Sequence, residues 1–93
     1  MTLGQRLKEL RTEKGLSVRD AAEKLGKSAG YISRIEVRGE IPSPEFLVVI
    51  ATQYGVDLDE LLTLSKTDQL TRTGLEIDAR NETALTLYRK GKQ

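Results

Sequence analysis

Residues Ser17 to Gly39 read S-V-R-D-A-A-E-K-L-G-K-S-A-G-Y-I-S-R-I-E-V-R-G. Gly26 stands between two short helical patterns, and glycine takes the left-handed conformation that a sharp turn requires without a side-chain clash. Upstream of it, Val18, Ala21, Ala22 and Leu25 recur at the i, i+3, i+4, i+7 spacing of one buried helix face. Ser17 is the N-cap of that helix. Asp20, three residues on, supplies the carboxylate form of the capping box. Ala21 and Ala22 are small because two helices crossing steeply after a short turn bring their backbones close. Downstream, Ser28 caps a second helix whose apolar stripe is only Ile32 and Ile35. Ser28, Ala29, Gly30, Tyr31, Ser33, Arg34 and Arg38 are left for its other faces, and a helix so thinly apolar can enter a groove.

Working outward on the N-terminal side, a helix is predicted from about Leu3 to Lys14. Thr2 and Gln5 form its capping box and Gly15 ends it. Leu3, Leu7 and Leu10 make its buried stripe, with Arg6, Lys8, Glu9, Glu13 and Lys14 on a solvated face. Arg11 lies at the edge of the stripe. On the C-terminal side, V-R-G-E-I-P-S-P-E is a loop that two prolines and a glycine keep from continuing as helix. Ser43 followed by Pro44 starts a fourth helix. Its core stripe is Leu47, Ile50, Ala51 and Tyr54, while Phe46 and Val49, beside Val48, form a surplus apolar patch or a locally wider core. Gly55 ends it. Asp57 and Glu60 are the expected capping box of a fifth helix whose Leu58, Leu61 and Leu62 close the core.

Beyond Ser65 the pattern weakens. The stretch S-K-T-D-Q-L-T-R-T-G is polar and carries Gly74, which reads as a linker or a frayed helix. Leu70, Gly74 and Ile77 share one helical face, and Ala84, Leu85 and Tyr88 share another after a cap at Asp78 or Asn81. Such short pieces do not fold alone, so the alternatives are docking on the domain, docking on a second subunit, or disorder. The division expected is a domain over 1–65 and a short helical tail over 66–93, a candidate dimerisation segment.

A chain of 93 residues supports one small domain. Its 38% hydrophobic content with only three Tyr and one Phe points to an aliphatic, all-helical core. Cysteine and histidine are absent, which removes disulfides, the usual zinc sites and Ser-His or Cys-His catalysis. No apolar run approaches the ~20 residues of a bilayer span, and the N-terminus lacks the apolar core of a signal peptide, so a cytoplasmic protein is expected. The net charge is +1, with nine basic against ten acidic residues up to Ser65, so any nucleic-acid binding rests on placement rather than total charge.

The run K-G-L-S-x-x-x-A-A-E-K-L-G-x-S-x-x-Y-I-S-R-I-E from Lys14 to Glu36, with Pro42 and Ser43 following, resembles the phage-repressor (Xre/Cro-type) helix-turn-helix family over residues 3 to 64. The resemblance implies a five-helix DNA-binding domain whose second motif helix lies in the major groove as part of a dimer. It also implies an ion pair between Arg11 and Glu36; the plainer reading of the two residues is as separate surface charges. By motif position, Ala29, Gly30, Ser33 and Arg34 face base edges with Lys27 and Ser28 at the helix start. Arg19, Tyr31, Arg38 and the turn amides near Ser17, Ser28 and Gly39 to Ile41 face phosphates.

The chain departs from the family pattern at several of these places. Val18 stands where glutamine is frequent, Lys27 where an aliphatic residue is frequent, and Ala29 and Gly30 where polar readers are. The glycine that follows the second helix is displaced, with Arg38 ahead of it. Direct readout then falls mainly on Arg34 as a bidentate guanine contact, the alternatives being a phosphate contact or a surface pair with Glu40. The function expected is a sequence-specific transcriptional repressor binding double-stranded DNA as a homodimer. The competing role is an antitoxin-like component whose tail holds a protein partner. No catalytic constellation, cofactor or metal site is expected.

Overall fold

The computed structural model describes residues 1–72. It contains five helices: α1 (Leu3–Glu13), α2 (Val18–Leu25), α3 (Ala29–Arg38), α4 (Pro44–Tyr54) and α5 (Leu58–Arg72). No strand occurs among the described residues, and no helix there is long and apolar enough to cross a membrane.

Local chemistry starts the first four helices. Thr2, Ser17, Ser28 and Ser43 sit in extended backbone, and each side-chain oxygen accepts from the amide three residues on. The reciprocal bond of the capping box is present at Thr2–Gln5 and Ser17–Asp20. α5 begins differently. Asp57 accepts from the amide of Asp59 at 3.0 Å, whereas Glu60 leaves the expected capping box and accepts from Arg6 Nε at 2.5 Å. A long cation on α1 is the stronger partner for that carboxylate, and the pair ties the two helices together.

The core is aliphatic and continuous. Leu3, Leu7 and Leu10 of α1 meet Leu25 of α2, Ile32 and Ile35 of α3, Leu47, Ile50 and Tyr54 of α4, and Leu61 of α5. α1 and α2 both pack on α3, α4 packs on α5, and α1–α5 and α2–α4 contacts close the bundle. Ala21 and Ala22 are both buried where α2 crosses α3. Gly4 permits an equally close approach on the other side, because a Cβ there would lie 2.3 Å from the Ile35 carbonyl oxygen.

Two further expectations change, and of the two readings left open for Phe46 the locally wider core holds. Phe46 is 6% exposed and belongs to the core, since Tyr31 from α3 packs against its ring. The surplus apolar surface on α4 is Val48 and Val49. Leu62 is exposed rather than closing the core, because Leu61 and the half-buried Leu58 and Leu64 occupy the inward face of α5. α5 also runs on to Arg72, so a division at residue 65 falls inside a helix. Ser65 is buried, and Asp68 Oδ2 accepts from the Leu3 amide at 3.0 Å, which closes the open N-terminus of α1. The expectations for Gly74, Ile77, Asp78, Asn81, Ala84, Leu85 and Tyr88, and so for most of the 66–93 tail, lie outside the described residues.

Candidate nucleic-acid interface

The turn between α2 and α3 fixes where α3 points. Gly26 sits at φ 71°, ψ 32°, its amide donates to the Glu23 carbonyl, and the Lys27 amide donates to the Ala22 carbonyl at 2.9 Å. These two bonds close the end of α2 and send the chain directly into the Ser28 cap. Ser28 Oγ accepts from the Tyr31 amide at 3.1 Å, which leaves its hydroxyl hydrogen for another acceptor. The first-turn amides of α3 have no intrahelical acceptor and confer a partial positive charge on this end of the helix.

The inner side of α3 is clamped by a buried ion pair. Arg11 Nε donates to Glu36 Oε2 at 2.9 Å and Nη2 donates to Oε1 at 3.0 Å, with side chains only 9% and 3% exposed. The third nitrogen, Nη1, donates to the Leu16 carbonyl at 2.7 Å, so one guanidinium joins α1, the α1–α2 turn and α3. Hydrogen bonding to Glu36 raises the Arg11 pKa above its already high ordinary value, and burial opposes this in part. Burial also pushes the neighbouring Tyr54 phenol up, with the Glu36 carboxylate adding to the shift. The pairing implied by the family resemblance is therefore formed.

The outer side of α3 carries a cluster of rings and cations. The Tyr31 and Phe46 rings lie 5.6 Å apart at 43°, with Lys27 Nζ 5.1 Å from the Phe46 centroid and 5.7 Å from that of Tyr31. The Arg34 guanidinium carbon is 5.5 Å from the Tyr31 centroid, and Arg34 Nε donates to Glu40 Oε1 at 3.3 Å. Contacts of this kind hold exposed cations by ~0.5–1 kcal/mol each, enough to bias a rotamer without burying the charge. Partial burial pushes the Tyr31 phenol up, Glu40 reinforces the shift and Arg34 opposes it, so the hydroxyl keeps its proton and can donate.

The structure thus gathers Lys27, Ser28, Ala29, Gly30, Tyr31 and Arg34 around the first two turns of α3, with all but the half-buried Tyr31 exposed. Ser33 is half-buried on the flank of the same turns. Arg19 is exposed in the first turn of α2. Arg38 lies at the far end of α3, about 14 Å along the axis from Ala29 at ~1.5 Å per residue. It lines a separate groove of about 310 Å³ with Gly39, Asp68 and Arg72. Arg19 and Arg38 make no ion pair among the described residues. Two participants are not evident from sequence: Phe46, which supports Tyr31 and Lys27, and Arg72, whose Nη2 lies 2.7 Å from where a Cβ on Gly39 would be. Neither has a local signal, because each is brought in from a different helix.

Comparison with known proteins gives a consistent result. A family described as helix-turn-helix matches residues 7–61. The HTH-type transcriptional regulator DdrOP3 of Deinococcus deserti is 40% identical over 62 residues, covering 67% of this chain and 48% of that protein. SinR of Bacillus subtilis is 39% identical over 61 residues, covering 64% and 55% respectively. ImmR of Bacillus subtilis is 33% identical over 75 residues, covering 81% and 59%. The chain spans about half the length of these curated relatives. Among solved structures, the SinR protein/SinI protein complex aligns with a TM-score of 0.60 and 31% identity, over 98% of this chain and 97% of that one.

Proposed function

We propose that this chain, which belongs to the Xre-like helix-turn-helix family, is a sequence-specific transcriptional repressor that binds two-fold operator DNA as a homodimer. The observation that carries this reading is the exposed face of α3. Its first two turns present Lys27, Ser28, Ala29, Gly30 and Arg34 to solvent, while Arg11–Glu36 and the Ile32–Ile35 stripe hold the opposite face rigidly. A helix so held fits the major groove, which admits an α-helix and displays a distinct donor and acceptor pattern for each base pair.

Within that reading, Arg34 contacts a guanine edge, Ala29 a thymine methyl, and Gly30 allows close backbone approach. Ser33 reaches base edges from the flank. Lys27 and Ser28 join these base-edge residues at the helix start, Arg19, the Tyr31 hydroxyl and Arg38 hold phosphates, and the amides at the start of α3 supplement a domain of near-neutral total charge. The protein acts in the cytoplasm, without catalytic activity or a cofactor.

Selection of bound sequences from random duplexes, with the mass of the complex measured, tests this. Enrichment of an inverted repeat with half-sites about one helical turn apart, bound by two chains, is the expected result. Arg34→Ala is expected to cost ~1–3 kcal/mol on the selected site and relax preference at one base position. Failure to enrich any sequence over random DNA overturns the reading. A second reading, a component that holds a protein partner, is favoured by the likeness to SinR solved with SinI and by the exposed Val48, Val49 and Leu62. Recovery of the chain with a partner protein but no selected DNA is the outcome that prefers it.

A further inference from the structure

Arg34 is not a freely waving side chain. α3 ends at Gly39, whose left-handed backbone (φ 74°, ψ 22°) reverses the chain. The amides of both Gly39 and Glu40 then donate to the Arg34 carbonyl, the latter at 3.0 Å. This fixes the backbone of Glu40 against that of Arg34, and its carboxylate accepts from Arg34 Nε at 3.3 Å. The guanidinium has one further restraint, the Tyr31 ring, and it passes over Gly30. Its carbon lies 5.5 Å from the Tyr31 ring centroid, and its Nη1 passes 3.7 Å from the place a Cβ would occupy on Gly30. Glu40 engages only the Nε edge. Neither Nη group is hydrogen-bonded to a carboxylate among the described residues, and Nη1 lies back over Gly30 in the first turn of α3.

We infer that Glu40 is a specificity-determining positioning residue: it holds Arg34 by its inner edge so that the outer Nη pair is presented to one purine, and it keeps that cation from phosphates. The inference rests on the DNA-binding reading above and extends it to a residue that does not itself contact a base. Its physical basis is twofold. An arginine already restrained by a backbone-anchored partner loses less rotamer freedom on docking a planar acceptor pair, so the matched base gains relative to mismatches. A carboxylate beside the same cation repels the phosphate chain wherever no base contact offsets that repulsion, which disfavours random DNA.

The test measures binding of the full chain to its best selected duplex and to random duplex, for wild type, Glu40→Ala, Arg34→Ala and the double variant. Glu40→Ala is expected to tighten random-duplex binding about threefold and lower the ratio of selected to random affinity about tenfold. Reselection with that variant should flatten one base position and leave the others sharp. In the Arg34→Ala background, Glu40→Ala is expected to leave the ratio unchanged, since the residue acts through Arg34. Equal tightening on both duplexes, an unchanged ratio in the single variant, or the same fall in ratio without Arg34 overturns the inference while leaving DNA binding intact. A wild type that selects no duplex overturns the functional reading and this inference together. Exposure of both side chains, 46% and 41%, makes the substitutions compatible with folding, and melting of each variant verifies it.

Discussion

Arg11 and Glu36 owe their importance to what each would become without the other. Both are almost fully covered, the guanidinium is satisfied by a carboxylate and a carbonyl, and no buried side-chain polar atom among the described residues lacks a partner. Exchanging the pair for apolar side chains of similar shape need not weaken the fold, but removing one member strands the other in a poorly solvated place. Arg11→Ala or Glu36→Ala is expected to cost ~3–5 kcal/mol, a large share of the ~5–15 kcal/mol of a small domain. Urea unfolding measures it, and a shift below ~1 kcal/mol would mean that water reaches the pair. Gly4 illustrates a different constraint. Gly4→Ala adds helix propensity of about 1 kcal/mol but drives a methyl into the Ile35 carbonyl, and overpacking costs ~1–3 kcal/mol, more where backbone must move. A net loss of stability is expected by thermal melting, and an increase would show that α1 can shift away from α3 freely.

At the scale of the helices, the chain advertises its boundaries wherever they depend on neighbours in sequence. The caps at Thr2, Ser17, Ser28 and Ser43, the proline at the start of α4 and the glycines at 26, 39 and 55 act within a few residues, and the ends they mark are legible without a structure. α2 allows this to be tested by acid. Its Asp20 carboxyl is held below the ordinary range, first by the Ser17 amide and then by the Ser17 hydroxyl. The folded carboxylate therefore binds protons less readily than the unfolded one, so its contribution is fully present above the ordinary value near 4 and is lost as pH falls below it. Asp20→Asn is expected to reduce the loss of stability between pH 5 and pH 3, and an unaltered acid profile in the variant would remove Asp20 from the account. Less legible were Phe46, Glu60 and the second half of α5. Phe46 lies off the 3.6-residue stripe of α4 and is buried by Tyr31, Glu60 is diverted by Arg6, and the polar run after Ser65 continues as helix while Ser65 and Asp68 meet distant partners. Each outcome was decided by a residue from another element.

The same division holds for the candidate interface. Placing Lys27 to Arg34 together at the start of α3 followed from the motif, because helix phase and the turn at Gly26 fix it. The restraint on Arg34 did not follow, since it depends on the side chain of Glu40 returning after Gly39 and on the ring of Tyr31.

Over the whole domain, α5 is the closing element, because it meets α4 through Leu61 and α1 through Arg6–Glu60 and Leu3–Asp68. A chain ending after Ser65 retains the aliphatic core but lacks Asp68 and Arg72. Compared with one ending after Arg72, it is expected to lose ~1 kcal/mol from the open end of α1, which lowers the melting temperature by about 4–8 °C in a domain of this size. Scanning calorimetry of the two truncations compares them directly, and equal melting temperatures would make the last turns of α5 dispensable.

The bond between the Leu3 amide and Asp68 spans 65 residues of sequence, nearly the whole described chain. On the ribosome, where chains grow at ~5–20 residues per second, the first turn of α1 is made several seconds before the carboxylate that closes it. Through that interval its leading amide lacks the Asp68 carboxylate, and the Thr2–Gln5 capping box alone closes the helix start. Completion of the domain is therefore timed by the arrival of its last helix, and a pause in synthesis ahead of Asp68 would present an unfinished α1 to chaperones and proteases.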